Sequence, residues 1–322
     1  MLFKNAWQKA ENFSLPSYYI KANKFVLLGM GGSGIAGDVI KDLIGDNVIV
    51  ESIHDYEIPK WVDKDTIVIA SSYSGNTEEV LSAFFDAYDK KARLIVITSG
   101  GRLKRFATKF DVPCFTIDYA SPPRAAFPYL FAYLLSIFCK LGHYKFDDRE
   151  ANYTIEYLND LVLKFKPESK FNNNLAKILS QKLFGRLPIF YGGGNLESVA
   201  RRLKSDINET SKSFAGSDAY PELNHNAIEG IISPKNSVTV ISLESSFDNR
   251  RVILRQNLTS EIYKKKRIPF ERIKFVPCDN EVAEVCSFVL FGGFLSYYLA
   301  ILNQKNPTEN KQIDYLKEAL GK

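Results

Sequence analysis

Short apolar runs alternate along the chain with longer segments whose apolar residues recur every three or four positions. Runs at 25–28 (FVLL), 48–51 (VIVE), 66–70 (TIVIA), 94–98 (LIVIT) and 114–117 (CFTI) read as strands, and 35–44, 77–88 and 102–110 as the helices between them. The strand runs are continuously apolar rather than alternating, which suits parallel strands covered on both faces. Strand–helix alternation of this kind argues for a doubly wound α/β sheet. The order then repeats. Residues 188–191 (PIFY) enter GGGN and a helix at 196–209; 237–243 (SVTVISL) enter ESSFDNRR and a helix at 252–265; 273–277 form a further strand. FVLLGMGGSG compares with LPIFYGGGNL, and TIVIASSYSGNTEEV with VTVISLESSFDNRRV. The 322 residues therefore predict two copies of one sheet unit, 1–150 and 151–322. The polar stretch 146–174 contains the link, although 153–165 is itself helix-like, and 311–320 is a terminal helix.

Residues 285–302 (VCSFVLFGGFLSYYLAIL) carry no charge over 18 positions, the short limit of a membrane span. Two serines, a tyrosine pair and a glycine pair make this segment less oily than most spans, so a buried or subunit-interface helix is expected and no membrane association. Hydrophobic content of 45% and charged content of 25% are those of a soluble globular protein. The net charge of +5, from 42 basic and 37 acidic residues, favours the approach of an anionic substrate. No basic block accompanies it, so nucleic acid is not implied. Cys114, Cys139, Cys278 and Cys286 are widely spread and form no C-x-x-C pair, so neither a zinc site nor a disulfide framework is expected. The start, MLFKNAWQKAENFSLP, lacks the apolar core of a secretory leader. A cytoplasmic location with reduced thiols is the expectation.

In a parallel sheet, ligands bind beyond the C-terminal strand ends, where helix N-termini present free N–H groups. Two loops of the first unit belong there. Gly29, Gly31 and Gly34 fit G-x-G-x-x-G, with Glu51 about where a ribose-binding acid would sit in a dinucleotide fold. The second loop, SSYSGNT at 71–77, offers hydroxyls at Ser72, Ser74 and Thr77 around Gly75. Hydroxyls and helix-terminal amides suit one compact phosphate, each charge-assisted hydrogen bond being worth ~1.5–3 kcal/mol. A dinucleotide site has no use for this cluster. A helix cap made by Ser74 or Asn76 would account for one polar side chain but not for three hydroxyls.

The pair GMGGSG and SYSGNT resembles the sugar isomerase (SIS) domains, which bind phosphosugars. The resemblance continues in Ser121-Pro122-Pro123-Arg124-Ala125, in the 209–226 segment ending in PELNHN, and in 296–317. Together these are similar to the bifunctional phosphoglucose/phosphomannose isomerases. The resemblance implies two SIS domains, each a doubly wound, mostly parallel sheet flanked by helices. It implies aldose–ketose interconversion of glucose 6-phosphate and fructose 6-phosphate, and of mannose 6-phosphate, through a cis-enediolate. It also implies a homodimer with one site per chain at the domain and dimer interface. No metal or redox cofactor is required for such a reaction.

By the same resemblance, Gly31, Gly32, Ser33, Ser72, Ser74 and Thr77 hold the phosphate. Arg124 stabilises the enediolate, a role that suits a permanently charged guanidinium. Glu209 matches the family's proton-shuttling carboxylate. Helical periodicity alone points it away from the face of Val199, Leu203 and Ile207, as for a solvated glutamate, and Asp206 is a rival acid on the same helix. His225, flanked by Asn224 and Asn226, which could orient its ring, can give and take a proton near neutral pH. The resemblance has it reach into the partner subunit's site. Lys317 matches a C-terminal lysine that assists ring opening, against the ordinary reading of a solvated terminal lysine. Thr308 is a candidate for tolerance at C2. The second-unit loops at 192–195 and 244–248 lack the hydroxyl pattern, so no second phosphate site is expected. A non-catalytic phosphosugar sensor, a nicotinamide-dependent oxidoreductase and a different SIS sugar-phosphate reaction are the alternatives.

Overall fold

The computed structural model describes residues 2–20, 22–45, 48–231 and 237–321. The chain forms two compact units, Met1–Ile155 and Glu156–Lys322. The division falls inside a single helix, Asp148–Phe165, where the sequence suggested a polar link.

The first unit is built on five parallel strands: β1 (Lys24–Leu28), β2 (Ile49–Ile53), β3 (Ile67–Ser72), β4 (Arg93–Thr98) and β5 (Cys114–Thr116), in the order β2-β1-β3-β4-β5. Strand alternation sends Val26, Leu28, Val68, Ala70, Leu94 and Val96 to one face. There they pack on Val80, Leu81 and Phe84 of helix Glu78–Asp89 and on Leu103 and Ala107 of helix Gly101–Lys109. The opposite face carries Phe25 and Leu27 against helices Phe127–Lys140 and Gly31–Ile44, with the Phe25 and Phe138 rings 4.8 Å apart. Burial on both faces is why these runs read as continuous rather than alternating. A helix the sequence did not flag, Leu2–Glu11, buries Phe3, Ala6, Trp7 and Ala10, and Trp7 Nε1 donates to Asp148 at 2.8 Å.

The second unit has four parallel strands, β6 (Leu187–Gly193), β7 (Gly216–Tyr220), β8 (Val238–Leu243) and β9 (Phe270–Ile273), in the order β7-β6-β8-β9. Two differences from the sequence reading have physical causes. Edge strand β7, GSDAY, has too few apolar residues to signal a strand. The last strand is 270–273 rather than 273–277, because Phe275 leaves the sheet and packs its ring on Phe165, Phe288 and Phe291. The apolar segment near the end lies within helix Glu281–Leu302. By length and composition this helix could cross a membrane, yet most of it is buried within the unit. Gly292 lies so close to Leu203 that a Cβ there would meet its side chain at 2.7 Å.

Candidate active site

Strands β1 and β3 are neighbours, but the chain leaves β1 toward β2 on one side and β3 toward β4 on the other. Their C-terminal ends therefore flank a topological switch point, the crevice where such sheets bind ligands. The helix after β1 starts at Gly31, earlier than the expected residue 35, so Gly31, Gly32 and Ser33 form its first turn. The first amides of a helix have no acceptor within it and are available to an anion. Ser33 is buried, and its Oγ accepts the Tyr73 N–H at 3.2 Å, tying the glycine turn to the loop after β3.

That second loop is braced in detail. Ser72 is 1% exposed; its Oγ lies 2.7 Å from Thr77 Oγ1 and accepts the Gly75 N–H at 3.1 Å. Ser74 is exposed and its Oγ accepts the Asn76 N–H at 3.3 Å. In all three serines the oxygen takes a backbone N–H, which leaves the hydroxyl hydrogen for another acceptor. Thr77 is the N-cap of helix Glu78–Asp89, and its side chain makes no cap bond. The alternative reading of a helix cap holds for Asn76, though at another helix: its Oδ1 accepts the Arg102 N–H at 3.0 Å, capping the neighbouring helix Gly101–Lys109. Gly75 has φ +67°, and a Cβ there would meet the Gly100 carbonyl oxygen at 1.9 Å, so only glycine fits.

Arg124 lies in the single turn Pro123–Ala126 that enters helix Phe127–Lys140. Its backbone packs on the glycine turn: a Cβ on Gly32 would stand 3.2 Å from Arg124 Cα. The first unit thus brings Gly31, Gly32, Ser33, Ser72, Ser74, Thr77 and Arg124 to one end of its sheet. Such an end can bind a dianion through hydroxyls and amides and place a guanidinium beside it. Glu51 does not take part in the way a dinucleotide site would need. It sits in the middle of β2, paired with Val26, rather than at the strand's end. The residue beyond that end is His54, whose Nδ1 is 2.7 Å from the Gly29 carbonyl oxygen and whose Nε2 is 2.9 Å from buried Asp38.

Glu209, His225 and Lys317 all belong to the second unit. Helix Glu197–Asp206 runs into a π-helical turn, Ile207–Ser211, which carries half-buried Glu209. The helical period points Glu209 off the apolar face, as for a solvated glutamate, and the structure leaves it half-buried. Single π turns of this kind recur at functional sites. The rival acid Asp206 is 4% exposed and pairs with buried Arg202, Nε to Oδ2 3.0 Å. The turn is anchored by Ser211 Oγ donating to the Ser296 carbonyl at 2.8 Å and by Asn303 Nδ2 donating to the Ser211 carbonyl at 2.9 Å. Lys212, with φ +56°, donates from Nζ to the carbonyls of Glu209 and Glu309. It thereby ties the Glu209 turn to the segment that opens helix Lys311–Leu320, which carries Lys317.

His225 closes the turn Glu222–His225 and is exposed. The two flanking amides do not orient it, contrary to expectation. Asn224 Nδ2 donates to Thr259 Oγ1 at 2.9 Å, while Asn226 Nδ2 donates to Glu222 at 3.2 Å and its oxygen accepts the Ala227 N–H. Lys317 is exposed on a helix that buries none of its residues. The Thr308 hydroxyl donates to Asn306 Oδ1 at 2.8 Å.

The second-unit counterpart of SYSGNT is the loop after β8, and an internal acid fills it. Buried Glu284 accepts the Ser246 N–H at 2.7 Å and the Ser245 hydroxyl. Asp248, in the same loop, has its carboxyl pushed up to about 6 by burial, with the charges of Glu284 and Glu244 adding to the effect. Here the loop donors are committed to the protein's own carboxylate. Sequence reasoning missed Tyr73 and Lys212 as organising residues, and nothing in composition or period marks either.

The family model for the SIS domain matches residues 18–112, and that for the bacterial phospho-glucose isomerase C-terminal SIS domain matches 172–320. A bifunctional phosphoglucose/phosphomannose isomerase of Caldicellulosiruptor bescii is 39% identical over 99% of this chain and 95% of its own length. A D-glucosamine-6-phosphate 4-epimerase of Sulfolobus acidocaldarius is 34% identical over 65% of this chain and 64% of its own length. Among solved structures, the C-terminal domain of a glucosamine-fructose-6-phosphate aminotransferase from Francisella tularensis superposes with a TM-score of 0.72, covering 96% of this chain and 95% of that one at 16% identity, a likeness of fold. Two SIS domains in tandem, and 39% identity along nearly the whole chain, place the protein: it belongs to the bifunctional phosphoglucose/phosphomannose isomerase family.

Proposed function

We propose that this chain interconverts glucose 6-phosphate, fructose 6-phosphate and mannose 6-phosphate through a shared cis-enediolate, within hexose phosphate metabolism. The observation that carries the reading is the hydroxyl and amide end of the first sheet, with Arg124 packed on its glycine turn, in a chain of this family. Gly31, Gly32, Ser33, Ser74 and Thr77, with Ser72 behind Thr77, would hold the phosphate. Arg124 would face the enediolate, whose negative charge develops only as the reaction proceeds. Glu209 would move the proton between C1 and C2. His225 and Lys317 would open the ring.

A homodimer in which His225 acts in the partner's site is part of the proposal. Exposure of His225 on its own chain, and of the whole helix Lys311–Leu320, supports it. The four cysteines remain free thiols, which accords with a reducing cytoplasm.

A coupled assay on fructose 6-phosphate, without metal or nicotinamide in the isomerase step, tests the reaction. Turnover should appear with the wild-type chain and vanish in Glu209→Gln. Mixing inactive Glu209→Gln and His225→Ala chains tests the shared site, because a mixed dimer regains one complete site only if His225 crosses. The relative named as a D-glucosamine-6-phosphate 4-epimerase favours one second reading, epimerisation of an amino-sugar phosphate. Turnover of glucosamine 6-phosphate in place of fructose 6-phosphate would establish it.

A further inference from the structure

Tyr73 sits at the centre of the anion-binding end, and its phenol does something the hydroxyl cluster does not. Its main-chain N–H donates to Ser33 Oγ at 3.2 Å, and its carbonyl accepts the Ser99 N–H at 3.0 Å and the Ser99 hydroxyl at 2.6 Å. On the Tyr73 side these bonds involve only the backbone, and they hold the loop. The side chain points elsewhere. Its hydroxyl donates to the Tyr119 carbonyl and accepts the Ser121 N–H at 2.8 Å. Ser121 stands three residues before Arg124, with Pro122 and Pro123 between them. Two prolines have φ fixed by their rings, so the position of Ser121 is transmitted stiffly to Arg124. On the other side, Arg124 Cα is backed by Gly32.

We infer that the Tyr73 phenol is a positioning residue that sets Arg124 against the anion-binding loops. The inference rests on the isomerase reading given above. A guanidinium stabilises a developing oxyanion only when held in place beforehand. Replacing the phenol by phenylalanine leaves the Tyr119 carbonyl and the Ser121 N–H without their partner and frees the segment that delivers Arg124. The phosphate hydroxyls and the backbone bonds of residue 73 are untouched. The two halves of the site should therefore separate kinetically, phosphate binding being kept and transition-state charge stabilisation being lost.

The test is steady-state kinetics on fructose 6-phosphate with the dimer or monomer as it purifies, for wild type, Tyr73→Phe, Arg124→Gln and the double variant, with thermal unfolding of each. Tyr73→Phe should lower kcat about tenfold to a hundredfold while KM stays within about threefold. In the Arg124→Gln background the same change should lower kcat by less than about twofold, because the group it positions is gone. A merely structural role would leave the two losses multiplying. Unchanged kcat in Tyr73→Phe, multiplying losses, or a KM that rises alone would overturn the inference. So would a Tyr73→Phe chain that does not fold, since the phenol would then determine the fold rather than the arginine's place. A wild type that turns over no hexose phosphate sinks the isomerase reading and this inference with it. An active wild type beside an unaffected Tyr73→Phe sinks the role of the phenol alone.

Discussion

The hydroxyl oxygens of Ser72 and Thr77 lie 2.7 Å apart, and Ser72 Oγ also takes the Gly75 N–H. One hydrogen must lie between the two oxygens, so the pair offers a single O–H outward. Ser72 is 1% exposed, which leaves Thr77 as the member that meets a ligand. The two substitutions should then share a stability cost and differ in binding. Ser72→Ala leaves the Gly75 N–H its second acceptor, the Ser72 carbonyl at 3.1 Å, and removes the hydroxyl bond to Thr77, so it should lower the melting temperature by a few degrees and raise KM only about threefold. Thr77→Val keeps the shape, breaks the same hydroxyl pair and also removes the O–H that meets the ligand, so it should lower the melting temperature by a similar amount and raise KM about tenfold or more. Kinetics and calorimetry on the two variants check this. A KM that rises as much in Ser72→Ala as in Thr77→Val would contradict the division of labour.

How far the sequence could be read follows from what each residue responds to. Burial on both faces of β1, β3 and β4 wrote itself as apolar runs, so the sheet and its repeat were legible. Edge strand β7 carries no such run, and the pull of Phe275 into an aromatic cluster is invisible to a period, so β7 and the limits of β9 were not legible. In the site, Gly75 and the hydroxyls announce themselves as residue types. Whether a hydroxyl faces out or braces a loop depends on contacts such as Ser72 with Thr77. A period places Glu209 off the apolar face but does not distinguish a half-buried position from a solvated one, because that depends on what else packs there.

Glu209 and Asp206 are three residues apart and should fail in opposite ways. Glu209→Gln should lower kcat by about a thousandfold, within the range for loss of a general base, at nearly unchanged stability. Asp206 neutralises buried Arg202 at 3.0 Å. Asp206→Asn should destabilise the chain by ~3–5 kcal/mol, as removing one partner of a buried pair does. Its kcat per folded molecule should stay within a few-fold of wild type. Denaturant melts with active-site counting separate the effects, and a stable but inactive Asp206→Asn chain would exchange the two roles.

All four thiols are pushed up by burial, Cys278 to about 11 and Cys139 and Cys286 to about 12, with Cys114 also raised. The thiolate is the reactive form. At pH 7.5 a thiol near 11 carries roughly a three-hundredth of the thiolate of an ordinary cysteine. Titration of the native chain with a chromogenic disulfide should therefore be slow, and four equivalents should react promptly once the chain is unfolded. A fast single equivalent in the native state would show that one of these thiols is accessible and acidic.

Asp248 gives the chain a pH dependence opposite in sign to that of a salt-bridged acid. Burial raises its folded carboxyl to about 6, whereas the unfolded carboxyl titrates at about 3.9. Between those values the folded state binds more protons than the unfolded one, so this group makes stability fall as pH rises through the window. Below about pH 4 both states are protonated and the penalty is absent; above about pH 6 it is fully present. Asn at this position keeps a carbonyl oxygen to accept from Gln256, which Asp248 now does at 2.7 Å, and removes the charge facing Glu284 and Glu244. Asp248→Asn should therefore raise the melting temperature at pH 7.5 and lose that advantage progressively as the pH is lowered toward 4. Thermal melts of both chains across pH 4–8 decide it: a gain that is the same at every pH would mean that burial does not penalise the charge of Asp248.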